Sequence, residues 1–158
     1  MARRTKKLWI GLGVLLAALA LLAVLWLKLF PPRWAVERYV LGCQEELNAY
    51  VQRLLETDPA QMENHHGWRA EDSYDGWKVS YYPQSGKIEF ETSAFGLVPS
   101  SSYTGFYYAP LDEPMGYQGV EVEFAREGDG WLWEEPEGDN RQYTRQITEH
   151  WYWYDVRF

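Results

Sequence analysis

The sequence predicts an α+β protein: an N-terminal transmembrane helix, then one amphipathic helix packed on a five- to six-stranded antiparallel meander sheet. Three observations carry that prediction. The run from Leu8 to Leu27 has no charged or strongly polar side chain, and about 20 helical residues at about 1.5 Å each cover the roughly 30 Å hydrocarbon layer of a membrane. Residues 34–56 repeat apolar side chains at helical spacing. From residue 76 onward, apolar and polar residues alternate in short runs divided by Pro and Gly, as strands and turns do.

The first element, residues 8–30, has Trp9 and Trp26 near its ends, where amphipathic rings favour the headgroup level, and Lys28 placed to reach outward along its alkyl stem. A cleaved signal has about 7–15 apolar residues ahead of a small-residue site. Here Ala18–Ala20 is followed by LLAVLWL, so the segment reads as an uncleaved signal anchor. The VLGC of Val40–Cys43 has the look of a lipidation site, but Lys28, Arg33, Glu37 and Arg38 separate it from the apolar run. A pilin-type leader carries a glutamate early in the apolar helix, whereas the first acidic residue here is Glu37. The row Gly13, Ala17 and Ala20 permits close helix approach, as small residues in many apolar spans do.

Arg3, Arg4, Lys6 and Lys7 make residues 1–7 a basic tail on the cytoplasmic side, against Lys28, Arg33 and Arg38 beyond the span. Residues 31–158 then form an extracytoplasmic domain, and the expected location is the cell membrane, crossed once. The chain has 15 Lys and Arg against 23 Asp and Glu. Five of those cations precede residue 31 and no carboxylate does, so the outer domain keeps ten cations against 23 carboxylates, a net charge of −13. Such a domain repels nucleic acid and anionic lipid surfaces. The single cysteine, Cys43, has no internal disulfide partner, so packing alone must hold the domain.

The second helix is expected at about 34–56, entered through Pro31 and Pro32 and stopped by Asp58 and Pro59. Val36, Val40, Cys43, Leu47, Tyr50 and Leu54 form one stripe, which wants a partner. The stripe covers under three heptads, so packing on the domain's own sheet is preferred to a coiled coil. Residues 57–75 read as a polar loop. Its His65 and His66 invite a metal reading with Glu63, Glu71 and Asp72, but neighbours in an extended segment point apart and only His150 returns, so no metal or other cofactor is expected.

The sheet follows at about 76–158. Trp77, Val79 and Tyr81 alternate with Lys78 and Ser80; a Pro83–Gly86 turn leads to Ile88, Phe90 and Thr92, which alternate with Lys87, Glu89 and Glu91 on an expected wet face. A strand is expected at Tyr103–Ala109, and another at 120–124, where Val120, Val122 and Phe124 oppose Glu121 and Glu123, before a Gly128–Gly130 turn into Trp131–Trp133. Clean alternation means a sheet covered on one face, the cover being the helix at 34–56. In outline the plan resembles the helix-on-sheet domains of cystatin-like proteins and pilins.

The chain ends on His150–Phe158, with five aromatics in nine residues. One parity is Trp151, Trp153, Asp155 and Arg157; its two charges assign it to the outer face and put Tyr152, Tyr154, Val156 and Phe158 against the helix. Trp131 and Trp133 extend the row if their strand pairs with the last one. Trp131, Trp133, Trp151 and Trp153 are thus the candidate ligand-binding residues, flat indoles suited to sugar rings, with acidic neighbours to accept hydroxyl hydrogen bonds. The same residues have a structural reading, which the sequence favours. A disulfide-free domain with 24 aromatics in residues 31–158 needs their bulk, each burying about 150–250 Å², and the segment 95–119 is long enough to fold over the outer face.

No Gly-rich phosphate loop opens a helix, no serine elbow occurs, and Glu134, Glu135, Glu137 and Asp139 crowd one solvated turn. The expected function is a non-catalytic binding or structural domain anchored in the membrane through residues 8–30. The alternatives for its partner are a glycan, with carbohydrate or cell-wall binding through an exposed Trp row, and an envelope protein, as in a pilin-like or other envelope assembly subunit.

Overall fold

The computed structural model describes the backbone of residues 2–62, 64, 65, 68–97 and 100–158, and their side chains except at residues 2–12, 14, 59, 64, 65 and 97. The chain divides into two units, residues 1–32 and 33–158. The first is helix α1, Ala2–Leu29, about 42 Å long at 1.5 Å per residue. Its described leucines, among them Leu16, Leu21 and Leu29, are exposed. Among the described residues no single helix is long and apolar enough to cross a membrane. Leu15–Leu29 and Arg33–Gly42 meet that test only when taken together across the break between them.

In the second unit the helix expected at 34–56 is two helices, α2 (Arg33–Gly42) and α3 (Gln44–Glu56). Gly42 is a weak helix former and Cys43 leaves helical geometry at φ −115°, ψ 20°. The stripe survives the break. Val36, Val40, Leu47, Tyr50 and Leu54 are buried, Cys43 packs against them half-buried, and Val51 joins four residues after Leu47.

The helices lie on one antiparallel sheet whose strands run in the order β1-β2-β3-β4-β5-β9-β8-β7-β6. These are β1 (Asn64–His65), β2 (Ala70–Tyr74), β3 (Trp77–Tyr82), β4 (Lys87–Leu97), β5 (Ser100–Tyr108), β6 (Ala125–Glu127), β7 (Gly130–Glu134), β8 (Arg141–Thr148) and β9 (Trp151–Arg157). Nine strands replace the expected five or six, and the sheet is not one meander. Five strands run as hairpins, the chain crosses to the far edge between β5 and β6, and β9 returns to close against β5. Two of the added strands come from the stretch read as a loop. Asp75 and Gly76, both at positive φ (51° and 81°), make the tight turn that folds β2 onto β3. Another, β8, alternates Gln142 and Thr144 with Arg141, Tyr143 and Arg145 and so lacks an apolar face in its sequence.

The face under the helices holds Val79, Tyr81, Ile88, Phe90, Phe106 and Trp151 against the stripe. Phe90 and Phe106 stack at 4.6 Å between ring centroids, and Gly105 allows their strands this register, since a Cβ there would lie 2.0 Å from the Phe90 carbonyl oxygen.

The other face is not wet. Lys87 and Glu89, expected in solvent, are 0% and 3% exposed. The crossover between β5 and β6 lies on this face over a second cluster of Tyr107, Ala109, Tyr152, Tyr154 and Val156, with Met115, Tyr117 and Trp131 packed against it. Hydrogen bonds hold it down: Met115 N–H to Tyr107 Oη (3.0 Å), Tyr117 N–H to Gln142 Oε1 (2.7 Å), Gln142 Nε2 to Met115 O (3.0 Å) and Tyr152 Oη to Asp112 O (2.7 Å). Residues 120–124, expected as a strand, belong to this crossover and pair with no strand; Val120 is 59% exposed. Their alternation is that of an extended chain in transit.

Candidate functional site

The four tryptophans singled out above do not form one row. The register Trp131↔Thr144↔Tyr154 and Trp133↔Gln142↔Val156 puts Trp131 and Trp133 on the crossover face, while Trp151 and Trp153 share the helix face with Phe106. The assignment of the last strand is therefore reversed: Tyr152, Tyr154 and Val156 lie away from the helices, and Trp151 lies beneath them, fully buried, its Nε1–H donating to Asn48 Oδ1 at 2.9 Å. The physical reason is that the helices cover this face only in part. Asp155 and Arg157 pair with each other at 3.1 Å at the end that the helices leave open, so charge at one end of a strand does not set the environment of the other. Trp131 is half-buried against Tyr152 under the Arg126 guanidinium, 4.2 Å from its ring centroid, and Trp133 is half-buried beside it on β7.

Trp153 is the member of the four that sits at an opening on the helix face. A groove of about 370 Å³ is lined by Trp153, Tyr143, Leu132, Arg33, Arg141 and Arg157, with Glu127 and Asp155 at its sides. The local fold explains the grouping. Antiparallel pairing sets Arg145 opposite Trp153, Tyr143 opposite Asp155 and Arg141 opposite Arg157, and alternate residues of a strand share a face. The α2 N-terminus adds Arg33, whose guanidinium lies 5.9 Å from the Trp153 ring centroid. The Tyr143 ring lies 6.3 Å away, and Trp153 Nε1 is buried without a protein hydrogen-bond partner.

A chain of charges frames the groove. Arg33 and Arg145 share Glu37 at 3.5 and 2.9 Å, Arg145 also reaches Asp129 at 3.0 Å, and Tyr143 Oη donates to Asp129 at 2.6 Å. The Tyr143 bond, with help from Arg145 and Arg33, holds the Asp129 carboxyl below the usual carboxylate range. Burial first, then the same bond, push the Tyr143 phenol up. Arg141 differs from its neighbours: it is exposed and, among the described residues, its guanidinium makes no hydrogen bond or ion pair, although Glu134 is its cross-strand neighbour. Neither Arg141 nor Tyr143 stands out in the sequence; the usable signal is that Arg141, Tyr143 and Arg145 alternate.

On the crossover face the buried Lys87 donates to Glu89 Oε2 at 2.5 Å and to Gly116 O at 2.7 Å, and lies over the Tyr107 ring at 4.4 Å; the Gln118 N–H also reaches Glu89 at 3.2 Å. Burial lowers the Lys87 pKa, against the opposing pull of Glu89. Gly116 and Gln118 of the crossover are partners of this pair, so it is read as a fastening. Two larger concavities differ in lining: that of about 670 Å³ holds Trp77, with Arg53 laid over the Tyr50 ring and Lys78 paired with Glu71, and that of about 610 Å³ near Ser85, Pro110 and Val120 is lined by no aromatic or cationic side chain.

Among the described residues no three His, Cys, Asp or Glu come together to hold a metal ion. Glu63 and His66 lie outside the described residues, as does the side chain of His65. Compared with known proteins, the chain matches no protein-family model, no curated protein and no solved structure.

Proposed function

We propose that the chain is a single-pass membrane protein, anchored through residues 8–30, whose domain over residues 33–158 lies outside the cytoplasm and binds a ligand without catalysis. Support for the anchor is the uncharged run Leu8–Leu27, the basic tail before it and the exposed leucines of α1. The single observation carrying the binding reading is the Trp153 groove. Its size falls within the roughly 300–1,000 Å³ of ligand pockets, and a half-buried indole beside a phenol, flanked by carboxylates that accept hydroxyl hydrogen bonds, suits a sugar ring.

The test is tryptophan fluorescence of the full chain in detergent micelles, titrated with soluble cell-wall and other oligosaccharides. A saturable change that persists in Trp133→Ala, on the opposite face, and disappears in a folded Trp153→Ala supports the reading. Absence of any saturable change overturns it. A second reading, an envelope assembly subunit, draws on Trp34 and Leu41, 63% and 56% exposed and seven residues apart on the outer side of α2. It predicts concentration-dependent oligomers that Leu41→Glu dissolves.

A further inference from the structure

We infer that the groove over Trp153 takes an acidic saccharide, a sugar unit carrying a carboxylate or phosphate, with Arg141 as the residue that receives the anionic group. The inference rests on the binding reading above and names its ligand class.

The domain has ten cations among 23 carboxylates, yet four of those ten, Arg33, Arg141, Arg145 and Arg157, gather around one tryptophan. Three of them are already neutralised. Arg33 and Arg145 share Glu37, Arg145 also holds Asp129, and Arg157 grips Asp155 through two nitrogens at 3.1 and 3.4 Å. Arg141 is left over, and it stands directly across from Arg157 in the β8–β9 ladder. Like charges in directly opposed positions destabilise a sheet, and Glu134, opposite Arg141 on its other side, makes no ion pair with it. An oxyanion in the groove resolves this opposition, because a guanidinium presents a fork that matches a carboxylate or phosphate.

The rest of the groove narrows the class. The Trp153 and Tyr143 rings offer flat apolar contact, and Asp155 and Glu127 offer acceptors only, which calls for a ligand with hydroxyl donors as well as an anion. A densely charged polymer is disfavoured. The end of β7 and the turn after it carry Glu134, Glu135, Glu137 and Asp139 close to Arg141 in the chain, and the domain's net charge of −13 repels a polyanion at long range, whereas isolated acid groups on a neutral ring meet mainly the local cations.

Isothermal titration of the full chain in detergent micelles, with short neutral hexose oligomers that carry a single hexuronate unit and with their carboxyl-reduced neutral counterparts, tests this. The expected result is about tenfold or tighter binding of the acidic oligomers, as a hydrogen bond to a charged group implies, with the difference shrinking as salt rises. Arg141→Gln should bring the acidic-to-neutral ratio close to one, while Arg38→Gln, which removes the same charge outside the groove, leaves the ratio unchanged. Equal binding of both oligomers overturns the acidic class but leaves the groove reading standing. Binding of acetate or inorganic phosphate as tight as that of the oligomers overturns the saccharide. No binding of either oligomer overturns the acidic-saccharide inference; the groove reading falls with it only if the fluorescence titration with the other oligosaccharides also shows no saturable change.

Discussion

Replacing Lys87 with methionine isolates the charge that fastens the crossover. The side chain is fully buried, so the substitution keeps length and bulk while removing the ammonium that serves Glu89 and the Gly116 carbonyl. Glu89, 3% exposed, is left as a buried carboxylate with only the Gln118 N–H. Breaking such a pair from one side costs about 3–5 kcal/mol, because an uncompensated charge remains, while removing both charges is often near neutral. For a domain of this size about 1 kcal/mol shifts the melting temperature by about 3–5 °C, so Lys87→Met should lower it by about 10–20 °C. Adding Glu89→Gln should recover most of that loss, since a glutamine oxygen still accepts from Gln118.

The assay is chemical and thermal unfolding of the full chain in detergent micelles, followed by tryptophan emission, for the wild type, both single variants and the double variant. Strong positive coupling between the two substitutions is the expected result. If Lys87→Met costs under about 1 kcal/mol, or if the two losses simply add, the ammonium is not sealed under the crossover and the fastening argument fails.

Three further outcomes are expected. Trp151→Ala should cost about 3–5 kcal/mol, as large aromatic truncations in cores do, and Trp153→Ala well under half of that, measured as the shift in denaturant midpoint. Gly105→Ala should destabilise by about 3 kcal/mol or more, because its Cβ would meet the Phe90 carbonyl oxygen at 2.0 Å and the Tyr154 ring at 2.9 Å; a wild-type melting curve would refute the strand register. Ten tyrosines, Tyr107 and Tyr154 among them, have phenol pKa values raised chiefly by burial. Above pH 10 the unfolded chain therefore loses protons that the folded one keeps, so stability falls as pH rises; the opposite trend from the single lowered Lys87 is too small to offset ten phenols. Most of the phenolate absorbance should appear together with loss of structure, and titration of all twelve phenols in a folded domain would contradict the buried assignments.

What was legible in the sequence was whatever repeats with a clean period. The stripe from Val36 to Leu54 is buried as its spacing implies, and the β3–β4 hairpin pairs Val79 with Phe90 and Tyr81 with Ile88 across the Pro83–Gly86 turn. β2 was hidden because Glu71, Asp72 and Ser73 read as loop, although the Asp75–Gly76 pair is a hairpin signal. β8 was hidden because its inward residues are Gln142 and Thr144, buried through hydrogen bonds to the crossover and to Tyr107. Neither burial is visible without the partner that satisfies it. The Arg141–Arg157 juxtaposition depends on the β8–β9 register, which alternation alone leaves open.

The groove's position follows from a mismatch of widths. Nine strands about 4.8 Å apart make a sheet about 38 Å wide, while α2 and α3, with 10 and 13 residues, are about 15 and 20 Å long. The helices cover the face over Phe90, Phe106 and Trp151 and run out beyond Trp153. On the opposite face the crossover from Pro110 to Phe124 completes the cover with Met115 and Tyr117 and with hydrogen bonds between its backbone and side chains of the sheet. The helix face at the ends of β7, β8 and β9 beyond Trp153 is what neither layer covers. There the side chains are Leu132, Arg141, Tyr143, Asp155 and Arg157, charged enough to stay solvated and aromatic enough to hold a ring. The recognition surface proposed for that corner costs the core little, because apart from Trp153, which packs at the core's edge, its residues are those the two covering layers leave outside.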